Sequence, residues 1–289
     1  MLKMSNDHII VCSFDRKLIA SMKKRAVVIN TDDYNLIRYM ASEVNRENKL
    51  HAIRLTISFP LSELEIEDDW RDIPLLIQSN DFGQFKQLIH QMNALRQLNV
   101  RIFLTKENGF NFTGLQILSS LKIPCGLIMD RDFNAWEESI DLMHYAIYGR
   151  TKHAPIEPFD YIASQYGPRN FLDYNTVYFN NPEKYLHLNE AGQVALTSAD
   201  LEAGNFIAEK LEELELESNE KYLAYLDARH RIMLSMNDCA FCPALRICLG
   251  KYGEGREKQD GCKRFFSDMM EAADFYQLSH NRNNGIWQW

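Results

Sequence analysis

The chain has 289 residues, 46% of them apolar and 25% charged, which is enough for one large domain or two modest ones with a sizeable core. A net charge of -8 argues against a broad electrostatic attraction to nucleic acid. No apolar run approaches the roughly 20 residues that a membrane-spanning helix needs, so we expect no membrane partner either.

Residues 1–50 are predicted to be an N-terminal segment rich in β-structure, with one helix. Two β-rich runs, 8–14 and 25–30, flank a basic stretch, and apolar residues at helical spacing predict a helix over 32–45. Two interpretations of residues 8–30 remain open. In the first, these residues offer a free strand edge to an extended peptide, and in the second they complete the core.

Residues 51–170 alternate between strand and helix patterns. Continuous apolar strands separated by amphipathic helices are typical of parallel strands covered by helices. We therefore expect an α/β fold with an incomplete (β/α) barrel-like parallel layer. The predicted strands are 51–58, 100–106 and 123–130, and the predicted helices are 81–97, 112–121 and 135–148.

Residues 171–289 have a different pattern. Two strands joined by the turn Asn189-Glu190-Ala191-Gly192 predict a β-hairpin, and a long acidic helix follows. The predicted strands are 175–180, 184–188 and 193–197, and the predicted helices are 200–236, with a break near 217–220 left open, and 265–276.

Four of the six cysteines fall within 24 residues of this last segment. Their spacing is C-x2-C-x5-C followed by a more distant D-G-C, in loop-like sequence. We call these four residues the cysteine quartet: Cys239, Cys242, Cys248 and Cys262. The other two, Cys12 and Cys125, lie in apolar strand-like runs, where a cysteine usually acts as a small buried hydrophobe.

Two metal centres suit four neighbouring thiols, a 4Fe–4S cluster and a structural zinc ion. Common zinc sites pair two C-x2-C units, and this chain has one, which favours the cluster. Zn²⁺ stays open as the alternative, because it would also stabilise a C-terminus with little core of its own.

The opening residues lead into a strand-like run instead of the apolar stretch of a signal peptide, so we predict a cytoplasmic protein. Thiols stay reduced in that compartment, and clustered cysteines there are metal ligands more often than disulfides.

The spacing of the quartet resembles the SPASM domain, the C-terminal extension of many radical S-adenosylmethionine enzymes that modify peptides. In that family a hairpin, a helix and the cysteine motif follow one another, as Y-L-H-L-N-E-A-G-Q-V-A-L-T, the 200–236 segment and Cys239 do here. The resemblance implies a SPASM-like hairpin/helix iron–sulfur domain over 171–289, with the quartet as ligands of its second auxiliary cluster.

The resemblance also implies one cluster where a full SPASM domain holds two. The other cluster would need a cysteine at about Thr197 and another at about Tyr252. Neither position holds one.

Upstream, 51–170 resembles a degenerate radical S-adenosylmethionine domain. If 51–58 is its first strand, the loop that follows is F-P-L-S-E-L-E-I-E-D-D, which has no cysteine, and no C-x3-C-x2-C occurs anywhere in the chain. The resemblance therefore implies a pseudo-radical protein without radical activity.

Similar proteins accompany peptide-maturation systems, so we expect a non-catalytic accessory or peptide-recognition protein. Its partners would be a precursor peptide, a peptide-modifying enzyme or both. A redox or electron-transfer role for the cluster is the main alternative. A RecB-like nuclease, in which a similar C-x2-C-P-x4-C occurs, ranks lower because the chain is acidic.

Overall fold

A computed structural model describes residues 8–167, 169–234, 238–252 and 260–281. Within these ranges the chain has nine strands, most of them paired in parallel, and eleven α-helices, which confirms the α/β class. None of the helices in these ranges combines the length and the apolar character that crossing a bilayer requires.

The strands and helices are numbered in chain order. The strands are β1 (Ile9–Ser13), β2 (Ala26–Thr31), β3 (Lys49–Ile57), β4 (Leu75–Ser79), β5 (Val100–Leu104), β6 (Cys125–Leu127), β7 (Ile156–Glu157), β8 (Tyr185–Leu188) and β9 (Val194–Ala195). The α-helices are α1 (Arg16–Ser21), α2 (Ile37–Glu47), α3 (Phe85–Leu88), α4 (Met92–Gln97), α5 (Phe110–Ser120), α6 (Trp136–Tyr148), α7 (Phe159–Gln165), α8 (Ser198–Glu202), α9 (Glu220–Leu234), α10 (Leu245–Cys248) and α11 (Asp260–Asn281).

The chain divides into two compact units that interleave along the sequence. Unit 1 takes the described residues of Met1–Leu104 and Tyr178–Ala228, and unit 2 takes those of Thr105–Val177 and Arg229–Trp289. The sequence predicts three consecutive segments instead. In the structure the hairpin belongs to unit 1 and the cysteine quartet to unit 2.

Unit 1 is built on strands in the order β5-β4-β3-β2-β1-β8-β9, with all pairs parallel except the β8-β9 hairpin. The hairpin is as predicted. β1 lies between β2 and β8, and β2 lies between β1 and β3. The interpretation of residues 8–30 as a free strand edge is therefore wrong, because both strands are paired on both sides and complete the core.

The predicted helix over 81–97 is two short helices, α3 and α4, with a break at 89–91. Gly83, just before α3, has a φ of +76°, which favours glycine. A Cβ at this position would also clash with the Ser62 hydroxyl. β4 was not predicted. Its sequence L-L-I-Q-S directly follows a Pro and an acidic stretch, yet it pairs with β3 and β5 on its two sides.

Two other predictions are wrong. Residues 174–178 form a 3-10 helix and not a strand, because the Asp173 carboxylate accepts from the backbone amide of Asn175 and starts a turn there. Residues 203–219 do not form the predicted α-helix: α8 ends near Gly204 (φ +71°), and α9 starts only after Asn219, whose side chain caps it. The segment between them uses two 3-10 turns to bury three leucines, which are Leu211, Leu214 and Leu216.

In unit 2, β6 and β7 pair in parallel, and α11 packs along α6 and α7. The buried aromatic core of this unit includes Phe159, Phe265 and Phe266. The rings of Phe265 and Phe266 approach the Trp136 indole, which is 6% exposed, in tilted arrangements, and Phe159 packs against Phe265. The first turn of α11, which carries the last of the four clustered cysteines, is thereby anchored against α6.

Candidate metal centre

Three cysteines of the quartet lie on successive turns of unit 2. The backbone amide of Cys242 donates to the carbonyl of Cys239 (3.1 Å), and the amide of Leu245 donates to the carbonyl of Cys242 (3.1 Å). One helical turn, α10, then carries the chain to Cys248. Pro243 suits this path because its fixed φ favours a turn and it has no amide proton to satisfy.

The chain reverses directly after Cys248. Leu249 and Gly250 both have positive φ, +52° and +77°, and the amide of Lys251 donates to the carbonyl of Cys248 (2.9 Å). Glycine is required at position 250 on two grounds, its φ and the Ile232 side chain that lies 2.7 Å from where a Cβ would be. This reversal also lets the backbone of Gly250 hydrogen-bond the Cys248 sulfur. Such bonds to sulfur tune thiolate ligands in metal centres.

Cys262 reaches the centre from the first turn of α11, after residues 253–259, which lie outside the described ranges. The residue before it, Gly261, lies against Trp136 of α6, since a Cβ on the glycine would stand 2.3 Å from Cδ1 of the indole. The glycine of the D-G-C sequence therefore fixes where α11 begins relative to α6.

The electrostatics of Cys248 place all four cysteines in one neighbourhood. Burial raises the pKa of Cys248 to about 12, the Gly250 hydrogen bond opposes this, and Cys242, Cys262 and Cys239 raise the pKa further. All four are half-buried and none is in a disulfide. A metal would have to displace the Cys248 proton, as is usual for thiolate ligands.

Tyr252 closes the inner side of this neighbourhood. Burial raises the pKa of its phenol, and the nearby Cys248 and Cys262 add to the increase. Its hydroxyl lies 2.5 Å from that of Tyr174 and bonds the Met129 carbonyl at 3.3 Å.

Lys251, the residue before Tyr252, bonds the same Met129 carbonyl. Its ammonium donates to the Met129 carbonyl (2.6 Å) and to Asn175 Oδ1 (3.1 Å). Burial lowers the pKa of Lys251 to about 8, against the opposing effects of Asp173 and Asp130. These contacts hold the turn after Cys248 to the rest of unit 2.

Thr197 and Tyr252, where a full SPASM domain would have further cysteines, both have structural contacts here. The Thr197 hydroxyl caps α8 by accepting from the amide of Asp200 (3.1 Å). Tyr252 is 3% exposed and hydrogen-bonded as described. Thr197 also lies in unit 1, whereas Tyr252 lies in unit 2 with the quartet.

Cys12 and Cys125 are 1% exposed, in agreement with the prediction that they are buried hydrophobes. Burial raises the pKa of the Cys12 thiol to about 12, and burial likewise raises the pKa of Cys125. Because the thiolate is the nucleophilic form, neither thiol acts as a nucleophile near neutral pH.

Across the described part of the chain, no three His, Cys, Asp or Glu side chains form a group that could hold a metal ion as they stand. The donor set of the quartet, four thiols with a backbone bond to one sulfur, suits a soft metal centre chemically. Binding one would require the thiols to rearrange.

Sequence spacing identifies the quartet but gives no sign of the residues around it. Trp136, Tyr174 and Met129 lie far upstream, so their contacts with the cysteine segment have no local signal. The D-G-C sequence is the one local hint, because a glycine directly before a cysteine at a helix start indicates a crowded position.

A comparison with protein-family models finds no match, and a comparison with curated proteins finds no similar sequence.

Proposed function

We propose that this protein is a non-radical accessory or peptide-recognition protein of a ribosomal peptide maturation system, and that its quartet holds one 4Fe–4S cluster. In this proposal the chain combines a reduced, barrel-like α/β layer with a half-intact SPASM-like domain, and it acts in the cytoplasm. The partners would be the precursor peptide, the modifying enzyme or both. This part of the proposal is supported by the resemblance of the cysteine pattern.

The observation that carries the proposal is the effect of three cysteines of the quartet on the pKa of Cys248, although the described thiols do not form a group that could hold a metal as they stand. Soft thiolates at four corners are the ligands of a cubane, in which each iron takes one protein sulfur. The Gly250 backbone would supply a hydrogen bond to one ligand, and Tyr252 would shield the inner side from water. When bound, the cluster would supply a one-electron redox centre or a rigid fold for the C-terminal segment.

The expected lack of radical chemistry is supported by the loop after β3. This loop, 58–69, has no thiol and is held in place by packing: Leu61 and Leu64 are at most 1% exposed, and the Ser62 hydroxyl accepts from the amide of Gln84 (3.1 Å). Nothing in it could hold the three-thiolate cluster that cleaves S-adenosylmethionine.

Anaerobic purification with iron, sulfide and zinc analysis tests the cluster. We expect about four irons and four sulfides per chain, the composition of a cubane. Changing any one quartet residue to Ser should lower the iron content, whereas the buried Cys125→Ser should not. In the native protein the Cys125 thiol donates to the Leu115 carbonyl, and a serine hydroxyl can also donate.

Each alternative result has a definite meaning. One zinc without sulfide would mean that the quartet holds a structural zinc ion in place of the cluster. Finding neither iron nor zinc in the purified protein would refute the proposed metal centre. Cleavage of S-adenosylmethionine by the reduced protein would refute the pseudo-radical assignment. The peptide role is tested separately. A short precursor peptide encoded beside this gene should bind the purified chain in calorimetry, and the absence of binding by both that peptide and its modifying enzyme would refute it.

A further inference from the structure

One face of the unit 1 sheet carries a row of polar residues, which is unusual for parallel strands. Strand register places Ser13, Asn30 and Arg54 side by side on β1, β2 and β3. The residues before them in the same strands, Cys12, Ile29 and Ile53, form an apolar row on the opposite face and are at most 1% exposed. Parallel sheets are normally apolar on both faces, so this polar row requires an explanation.

The polar row continues onto neighbouring strands. Two residues further along, Thr56 of β3 pairs with Gln78 of β4, and their side chains are hydrogen-bonded (3.3 Å). On the other side of β1, His187 of β8 pairs with Val11 and faces the same way. Thr56 and Ser13 are exposed, so the row is open to solvent at these positions.

Arg54 lies in this row with few partners for its five N–H donors. In the described part of the chain its one hydrogen bond goes to the carbonyl of Tyr178, at a long 3.4 Å. Burial lowers the pKa of Arg54, and Glu202 is the acid that partly opposes this from a distance. A half-buried guanidinium with one weak bond is costly unless something else binds it.

Two buried acceptors on the same face also lack partners within the described residues, Oδ1 of Asn30 and Nε2 of His187. His187 is 1% exposed, and its ring bonds the backbone of Phe179, the residue next to the one that Arg54 bonds. With Nδ1 donating to that backbone, Nε2 carries a lone pair. An unsatisfied buried acceptor costs about 1–3 kcal/mol, and a ligand that donates to it recovers this energy.

We propose that this polar face binds a small oxyanion, a carboxylate or a phosphate, that also carries an O–H or N–H donor. Arg54 takes the oxyanion through its planar fork of donors, the geometry that suits both anions. Asn30 or His187 accepts from the donor that the ligand carries beside its charge. This inference involves unit 1 alone and does not depend on the cysteine quartet.

The test uses the full chain and compares probes at fixed ionic strength in thermal unfolding and calorimetry. The probes are lactate and inorganic phosphate, each an oxyanion with an O–H group, and acetate and chloride, which have no donor. We expect lactate or phosphate to raise the Tm, because a ligand that binds the folded state stabilises it, and acetate and chloride to have smaller effects. Tighter binding of lactate would identify the ligand as a carboxylate, and tighter binding of phosphate would identify it as a phosphate.

Three variants locate the effect. Arg54→Met should abolish the response and should itself fold, since replacing a buried charge by an apolar side chain is often neutral or stabilising. Arg54→Lys should weaken binding roughly tenfold by losing the two-point contact. Arg46→Met removes an exposed cation of α2 and should leave binding unchanged.

The proposal is overturned if no probe binds, which would leave buried water as the partner of these groups. It is also overturned if chloride or acetate acts as strongly as lactate and phosphate, or if Arg54→Met responds as the native protein does.

Discussion

Gly261 and Trp136 touch so closely that a Cβ on the glycine would lie 2.3 Å from Cδ1 and 2.6 Å from Cγ of the indole. The ring has little room to yield, since Phe133 and Tyr252 stand edge-on to it at 5.1 and 4.9 Å between centroids. Because Cys262 follows Gly261, this contact sets the position of one thiol of the quartet.

Gly261→Ala should therefore destabilise the protein although alanine favours helices. We expect the free energy of unfolding to fall by about 2–3 kcal/mol, the usual cost of overpacking, and Trp136 fluorescence to change. Gly109→Ala is the matched control, because nothing lies within 4 Å of its Cβ position. Combining Gly261→Ala with Trp136→Leu should restore part of the loss. Equal stability of Gly261→Ala and native protein in denaturant titration would contradict the contact.

The hydroxyl pair of Tyr174 and Tyr252 gives a second prediction. Tyr252→Phe removes the hydrogen bonds to Tyr174 and to the Met129 carbonyl, whereas Tyr174→Phe leaves the bond to Met129 in place. We expect the first change to cost more, about 1–3 kcal/mol, and the double variant to cost less than the sum of the singles. Urea unfolding of the four proteins measures this coupling. Strict additivity would show that the two hydroxyl groups do not interact.

The parts of the fold that sequence predicts are those whose signal is local. β1, β2 and β3 are rich in β-branched residues and have clear ends, and α6 has a regular apolar periodicity over its whole length, so all four were predicted within a few residues. The β8-β9 hairpin follows from its turn sequence.

Long-range packing decided the elements that were missed. The leucines at 211, 214 and 216 fit a helix as well as they fit the 3-10 turns that bury them. For the same reason the position of β1 and β2 inside the sheet could not be predicted, because it depends on β8, far along the chain.

The candidate metal centre also combines a local signal with contacts that the sequence does not reveal. The quartet is visible as a spacing, whereas Gly261 and Tyr252 have roles that depend on Trp136 and Tyr174, which lie far away in sequence. The polar face of unit 1 was not predicted either, because Asn30 and Arg54 interrupt strands that are otherwise apolar and become neighbours only through the register of β2 and β3.

A third prediction concerns Asp160, whose carboxylate accepts from the backbone amide of Ile156 (2.7 Å) in unit 2. Burial raises the pKa of Asp160 from 3.8 to about 7, against the effect of that hydrogen bond. Between these values the folded state holds a proton that the unfolded state has lost. The stability contributed by this group therefore falls as pH rises from about 4 to about 7, and is constant above that.

Asp160→Asn keeps an oxygen that can accept from Ile156 and removes the charge. We expect the variant to match the native protein near pH 4 and to exceed its stability by about 1–3 kcal/mol near pH 8. The exposed Asp141→Asn is the control and should show no such divergence. Parallel stability profiles for Asp160→Asn and native protein across this range would show that Asp160 titrates normally.

His187 gives the last prediction, with the opposite sign. Burial lowers the pKa of His187 to about 3, Arg54 lowers it further, and the hydrogen bond to the Phe179 backbone opposes both. Between the ordinary pKa of 6.5 and this value the unfolded state binds a proton that the folded state does not. Stability should therefore fall as pH falls through this window.

His187→Gln keeps a donor for the Phe179 backbone but cannot be protonated. Relative to the native protein, the variant should gain about 2–3 kcal/mol on going from about pH 7.5 to about pH 4.5. His90→Gln, at an exposed position, should gain little over the same range. Urea unfolding at both pH values measures the difference. If native protein and His187→Gln lose stability equally on acidification, then His187 has the same pKa in the folded and unfolded states, and burial does not hold its ring neutral.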